Sequence, residues 1–329
     1  MNTATVKPGC GNMATLMPHT SQNVFSKMDN FYLILIYLSI GAALRHTSFL
    51  PENAANTLNA YALYVAFPAV ILKAVPGISL STELLIPALT PWLLLFMMVG
   101  AILLLTRWLN WSREVTGALL VIVPLGNTSF LGLPMVDAFF GHEFIPYALV
   151  YDQLGSFLAL TLYATVVAAI YSPLMETPGS GALLRKILTF PSFIALILGL
   201  FLGSMDVTFP SLADQLITNL AATLVPVVMI AVGLQLTFRF HRSEISPLLS
   251  GLSLKLLAMP LIVWIVCTAL GLHSDATDIT IFQAAMPSMI SAGAIASMAG
   301  LAPRLVSGIV GLGILISLAT LPLVHTLLG

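Results

Sequence analysis

Pro124-Leu125-Gly126-Asn127-Thr128-Ser129-Phe130-Leu131-Gly132-Leu133-Pro134 interrupts a long apolar run with two prolines, two glycines and three polar side chains. A helix in lipid cannot leave backbone N–H and C=O groups unpaired unless protein or a water-filled cavity receives them. A second run is broken in the same way at Pro287-Ser288-Met289-Ile290-Ser291-Ala292-Gly293. Each break falls in the fourth apolar run of its half of the chain. Broken spans at corresponding places in two halves are the pattern of a secondary transporter's substrate site.

The composition agrees with a membrane setting. Of 329 residues, 58% are hydrophobic and 8% charged, where soluble domains carry about 25% charged residues. A net charge of −1 gives no nucleic-acid surface and no strong steering field. The two cysteines, Cys10 in a polar tail and Cys267 within an apolar run, are not expected to pair. Residues 1–29 lack an apolar signal core and read as a disordered tail or an upstream extension.

A spanning helix needs about 20 mostly apolar residues. Ten runs fit: 30–46, 54–75, 84–106, 115–140, 145–171, 187–204, 211–237, 246–270, 276–300 and 303–328. The sixth is short and is expected to tilt or to thin the bilayer locally. The expected fold is all-α, with two five-helix repeats at 30–171 and 187–329 joined by a cytoplasmic linker at 172–186. An odd number of spans per repeat makes the second enter from the opposite side, an inverted topology with the broken fourth and ninth helices crossing. Phe67-Pro68 in the second run and Val225-Pro226 in the seventh add a further echo.

Orientation follows the positive residues of short loops. Arg45, Arg107, Arg113, Arg185, Lys186, Arg239, Arg242 and Arg304 all follow odd-numbered runs. Lys7, Lys27 and, at the end of a run, Lys73 fall on the other side. The odd loops are therefore expected in the cytoplasm and both termini outside. Trp108 and Trp111 flank this set as an interfacial belt would.

Asn127 leads the candidate site residues, because an amide supplies both donor and acceptor for a carboxylate. Gly126 and Gly132 release the backbone from helical geometry. Pro134 is expected to start a half-helix whose amino end is partly positive. Thr128 adds a hydroxyl beside Asn127. Across the second break stand Pro287, Ser288 and Ser291, with Gln283 one turn earlier. The bland reading of these small residues is interhelical packing.

Asp152, about seven residues into the fifth run beside Tyr151 and Gln153, is a candidate for carrying a proton or binding a cation. It stands equally well as an interfacial residue. Lys255, in the eighth run, either snorkels outward, attracts an anion or neutralises Asp152. Asn219, shortly before Pro226, is a weaker ion-coupling candidate.

No nucleotide-binding loop and no His-Glu-x-x-His occurs. Tyr151-Asp152 resembles half of an intramembrane aspartyl protease, but Ile314 follows Gly311-Leu312-Gly313 where a second carboxylate belongs. No Gly-x-Ser-x-Gly elbow is present. An enzyme is therefore not the expected reading, and neither a cofactor nor a metal is expected.

The stretch Gly126–Pro134 resembles the signature of the auxin efflux carrier family and its bacterial relatives. Asn59–Ala69, Val225–Leu236 and Ala285–Pro287 with Ser291 fit the same family, over about residues 30–328. The resemblance implies a ten-helix inverted-repeat carrier, similar in architecture to bile-acid sodium symporters, in which crossed broken helices join a scaffold to a mobile unit. Plant members carry a long loop between the repeats. The short 172–186 stretch resembles the bacterial branch, which implies an inner-membrane location and a small organic acid such as malate or malonate rather than auxin. The expected partners are a small organic anion, H+ or Na+, and lipid, with a homodimer left open. The alternatives are a sodium-coupled symporter of a larger amphipathic anion and a non-transporting sensor or enzyme.

Overall fold

In the computed structural model the chain is described over residues 19–328, except 48, 78–80, 173, 175–178, 206, 208 and 237–243. Cys10 and the loop charges Arg239 and Arg242 fall outside these residues. The described residues are helical, and no strand is found among them. In chain order the helical rods are α1 (His19–Leu44), α2 (Ala54–Gly77), α3 (Thr82–Leu109), α4 (Arg113–Ile122), α5 (128–139), α6 (His142–Tyr171), α7 (Ser180–Leu188), α8 (Pro191–Ser204), α9 (Ser211–Gln235), α10 (Ile245–Ala269), α11 (Asp275–Ala284), α12 (Ile290–Met298) and α13 (Pro303–Leu328).

Six of these, α2, α3, α6, α9, α10 and α13, are long and apolar enough to cross a membrane. Counting α7 and α8 as one bent span makes seven. The apolar part of α1, Asp29–Leu44, is shorter, and α4, α5, α11 and α12 are half-length pieces on either side of the two breaks.

Three boundaries differ from the sequence reading. Helix α1 begins at His19, so the boundary drawn at residue 29 falls inside it. The linker expected at 172–186 contains most of α7, an amphipathic helix with Leu184 and Leu188 exposed beside Arg185 and Lys186. The short sixth run is α8, met by α7 at a 57° bend where Phe190 takes the extended backbone that a following proline imposes.

The helices form two packed groups, each with its own apolar core. One core joins α1, α2, α8 and α9 to α5 and the start of α6, around Phe67, Leu131 and Val228. The other joins α3, α4, the end of α6, α10, α12 and α13, around Leu94, Leu119 and Ile309. Small residues set the closest approaches, as they do wherever lipid supplies no hydrophobic drive between helices. A Cβ on Gly41 of α1 would stand 2.1 Å from the Ile230 carbonyl oxygen of α9, and one on Gly233 would stand 2.2 Å from the Leu38 oxygen.

Two helix starts are capped alike. Ser112 caps α4 by accepting from the Val115 N–H, and Ser274 caps α11 by accepting from the Thr277 N–H. Both capped helices have 10 residues and acidic first turns, as the positive amino end of a helix favours. Ser112 and Ser274 are separated by the same 162 positions as Tyr61 and Thr223, whose hydroxyls meet at 2.9 Å.

Candidate functional site

Both broken helices stop for chemical reasons. Pro124 and Pro287 bring no N–H, so α4 and α11 cannot extend through them. The freed backbone is satisfied by the other break. The Asn127 N–H donates to the Pro287 carbonyl at 2.7 Å, and the Met289 N–H donates to the Leu125 carbonyl at 2.9 Å. Gly126 and Ser288 thus face each other as a single antiparallel bridge in the middle of an otherwise helical protein. All of Gly126, Asn127, Thr128, Pro287 and Ser288 are buried.

Around this crossing five helical segments widen by a residue per turn: 62–66 in α2, 128–132 in α5, 151–157 and 160–164 in α6, and 254–258 in α10. Such wide turns collect at functional sites because they re-aim side chains and loosen carbonyls. Side chains receive several of those carbonyls. The Trp92 indole donates to Leu154 O at 2.9 Å, Ser192 Oγ to Leu63 O at 3.4 Å and Thr165 Oγ1 to Leu160 O at 3.1 Å.

Asp152 sits on one of these turns and is wholly buried. Its side chain is turned into the protein. Its carboxylate accepts from Thr128 Oγ1 at 2.6 Å, Ser129 Oγ at 2.5 Å and Gln153 Nε2 at 2.8 Å. No cationic side chain pairs with it among the described residues. The Gln153 Oε1 and Asn127 Nδ2 atoms are buried with no partner among the described residues.

A cavity of about 370 Å³ lies against this cluster. Asn127, Ser129, Asp152, Gln153 and Ser291 contribute its polar lining near the crossing, and Asn59, with an unpartnered buried Oδ1, adds to it from α2. Lys186 of α7 is the one basic residue on its wall. Apolar rings of Tyr64, Phe67 and Phe157 cover much of the rest.

The sequence candidates divide accordingly. Asn127, Ser291 and Asp152 line the cavity. Thr128 touches it only through Asp152. Gln283 fills the crossing itself: its amide nitrogen reaches the Thr128 carbonyl at 3.5 Å, and a Cβ on Gly132 would stand 2.2 Å from its Oε1. Neither Gly126 nor Gly132 adopts a positive φ. What these positions require is room rather than conformational freedom. Pro134 stands in the first turn of the α-helical stretch Leu133–Phe139, although helical backbone already resumes at Thr128 as a wide turn; the proline also lines a separate cavity with Lys73, Asp137 and His142. Ser288 is buried with its hydroxyl unpartnered and lies outside the cavity wall.

Two further expectations are corrected. Lys255 does not snorkel and does not pair with Asp152. It is 1% exposed, and its ammonium contacts the Met259 thioether at 3.2 Å. Asn219 is exposed on α9 and lines none of the cavities found, so it is not brought to the crossing. Cys267 is buried and free among the described residues.

Ser129, Gln153 and Asn59 escaped the sequence reading. Ser129 lay inside the quoted motif and Gln153 beside Asp152. Their roles depend on wide turns that apolar periodicity does not reveal.

An uncharacterized transporter of Methanothermobacter thermautotrophicus is 28% identical over 299 residues, covering 88% of this chain and 94% of its own length. An uncharacterized transporter of Methanocaldococcus jannaschii is 28% identical over 217 residues, 64% of this chain and 69% of its own. Residues 30–325 match the family described as membrane transport protein. This chain, with its apolar helices and its Gly126–Pro134 motif, is therefore a multi-pass membrane transporter rather than an enzyme and belongs to that family, that of the auxin efflux carriers.

Proposed function

We propose that the protein is a secondary carrier of a small organic anion, working by alternating access through the paired breaks. The observation that carries this reading is the main-chain bridge between Gly126 and Ser288 beside a cavity lined by the unpartnered Asn127 amide. The amino ends of α5 and α12 begin at the crossing and bring partial positive charge to a bound carboxylate. Asn127 donates to that carboxylate, and Ser291 adds a hydroxyl. A small dicarboxylate suits a cavity that joins these donors to apolar rings.

The shared register of 162 residues supports ten spans in two inverted five-helix repeats. Residues one register apart touch each other at Tyr61–Thr223 and at Gly126–Ser288, as contacts on a twofold axis in the membrane plane must. On this reading α1, α2, α8 and α9 form the scaffold and the remaining helices the moving unit. Lys186 follows an odd-numbered span, so the cavity it lines opens to the cytoplasm. Asp152 is the coupling residue, taking up a proton as the solute binds.

A reconstituted-vesicle panel of radiolabelled organic acids, with and without imposed pH and sodium gradients, tests the reading. Uptake of at least one small carboxylate is expected, driven by the pH gradient. Transport only of a large amphipathic anion, and only with sodium, replaces it with the symporter alternative.

A further inference from the structure

The cavity that holds Lys73, Pro134, Asp137 and His142 has a volume of about 290 Å³ and is lined by none of Asn127, Ser129 or Asp152. Its place follows from helices that pass both cavities. Helix α2 meets the first cavity near its start, at Asn59, and the second near its end, at Lys73. Helix α9 does the reverse, with Ala221 in the second cavity and Gln235, its last residue, in the first. On α5, Ser129 lines one cavity and Leu133 the other, about 6 Å further along the helix. The two cavities thus lie toward opposite ends of the same long helices, with about one turn of α5 between them.

They are also built from corresponding positions. Thr218, Ala221, Ala222 and Val225 of the second cavity stand 162 positions after Asn56, Asn59, Ala60 and Leu63 of the first. That is the spacing at which Gly126 meets Ser288 and Tyr61 meets Thr223. By the same count, Lys73 and Leu133 of the second cavity answer to Gln235 and Ile295 of the first. Two unrelated surface hollows would not share one register at six positions.

Charge distinguishes the second cavity. Lys73 Nζ donates to Asp214 Oδ1 at 2.7 Å, and Asp214 lies off the cavity wall. The two side chains are 35% and 48% exposed, so water screens the pair and it opens at little cost. Asp137, the acidic residue on the wall, faces His142 Nδ1 at 3.3 Å. The Lys73 ammonium has three donors and can exchange the Asp214 carboxylate for that of a solute, like for like.

We infer that this cavity is a second docking site for a small organic carboxylate, an antechamber of the solute route on the face opposite the first cavity. Lys73 is its anion receptor, and Asp214 is the group that the solute displaces. The class of solute rests on the proposed carrier function; the sidedness of the two cavities does not.

The test uses charged thiol reagents on the full-length protein in membrane vesicles of both orientations, with Cys10→Ser and Cys267→Ala as background. Anionic methanethiosulfonate ethylsulfonate, which does not cross the bilayer, should modify Asn59→Cys from one face and Ala221→Cys from the other. Its rate at Ala221→Cys, divided by that of the cationic trimethylammonium-ethyl analogue, reads how strongly the cavity favours an anion. Lys73→Gln should lower this ratio about fivefold, and Asp214→Asn should raise it. Modification of both cysteines from the same face overturns the inference. So does a ratio that either charge substitution leaves unchanged, which is what a purely structural ion pair would give. If Ala221→Cys does not assemble, Thr218→Cys reports on the same wall. These readouts need no transported solute. A failed solute panel leaves them standing, and a successful one does not rescue them.

Discussion

Asn127 is held by its main chain, with its N–H spent on Pro287, while its amide nitrogen has no partner among the described residues. Asn127→Ala should therefore leave the fold intact and remove one donor from the solute. Losing a hydrogen bond to a charged group costs about 1.5–3 kcal/mol, roughly ten- to hundredfold in affinity, which equilibrium binding on the purified variant would measure. Asp152 is the opposite case, with every described contact a donor to its carboxylate. Asp152→Asn keeps the shape but cannot titrate, so solute binding should persist while the response to an imposed pH gradient disappears. A variant that still follows the gradient would mean that the proton travels with the solute's own carboxyl group. Asn127 and Asp152 were legible as residues because polar groups at depth are rare and conspicuous. Their neighbours were not, since Ser129 and Gln153 are ordinary residues until a wide turn directs them at the same carboxylate.

The helices repeat this division between what periodicity reveals and what it hides. Apolar runs placed α2, α3, α6, α9, α10 and α13 to within a few residues, because an apolar span leaves a continuous signal, but missed the polar first turns of α1 from His19. The breaks were legible from Pro124 and Pro287, which cannot donate. The start of α5 was legible only in part: Pro134 does stand in the first turn of the α-helical stretch Leu133–Phe139, but the Asn127 carbonyl already accepts from the N–H groups of Leu131 and Gly132 and opens the helix as a wide turn before it. The glycines carry a different message from the one read in sequence. At Gly41 and Gly233 they let α1 and α9 meet at backbone distance. Gly41→Val should force these helices apart, and the expected outcome is a large fall in the yield of monodisperse protein and in the unfolding temperature. Helix α7 makes its own prediction, because Lys186 is the basic residue at the cavity. Lys186→Glu should weaken anion entry most strongly at low salt, seen as a rise in the half-saturating solute concentration that shrinks as ionic strength increases.

For the whole molecule, the proposed inverted repeat requires the two halves to face opposite sides of a membrane. A reporter inserted after Arg185 should read cytoplasmic, and one fused beyond Leu328, at the end of α13, should read external. A cytoplasmic carboxyl terminus would remove the inverted scheme. The main-chain part of the crossing uses atoms that every non-proline residue possesses, two N–H groups and two carbonyls, with the Gln283 amide adding one side-chain contact to the Thr128 carbonyl. The joint is thus indifferent to most side chains around it. Solute choice can drift while the hinge stays, so a library randomised at positions 127, 129, 288 and 291 should yield carriers of altered preference that still assemble. Proline at 127 is the exception, since it deletes a donor of the joint itself. On the proposed mechanism, the grammar of movement is written in backbone and the vocabulary of recognition in side chains.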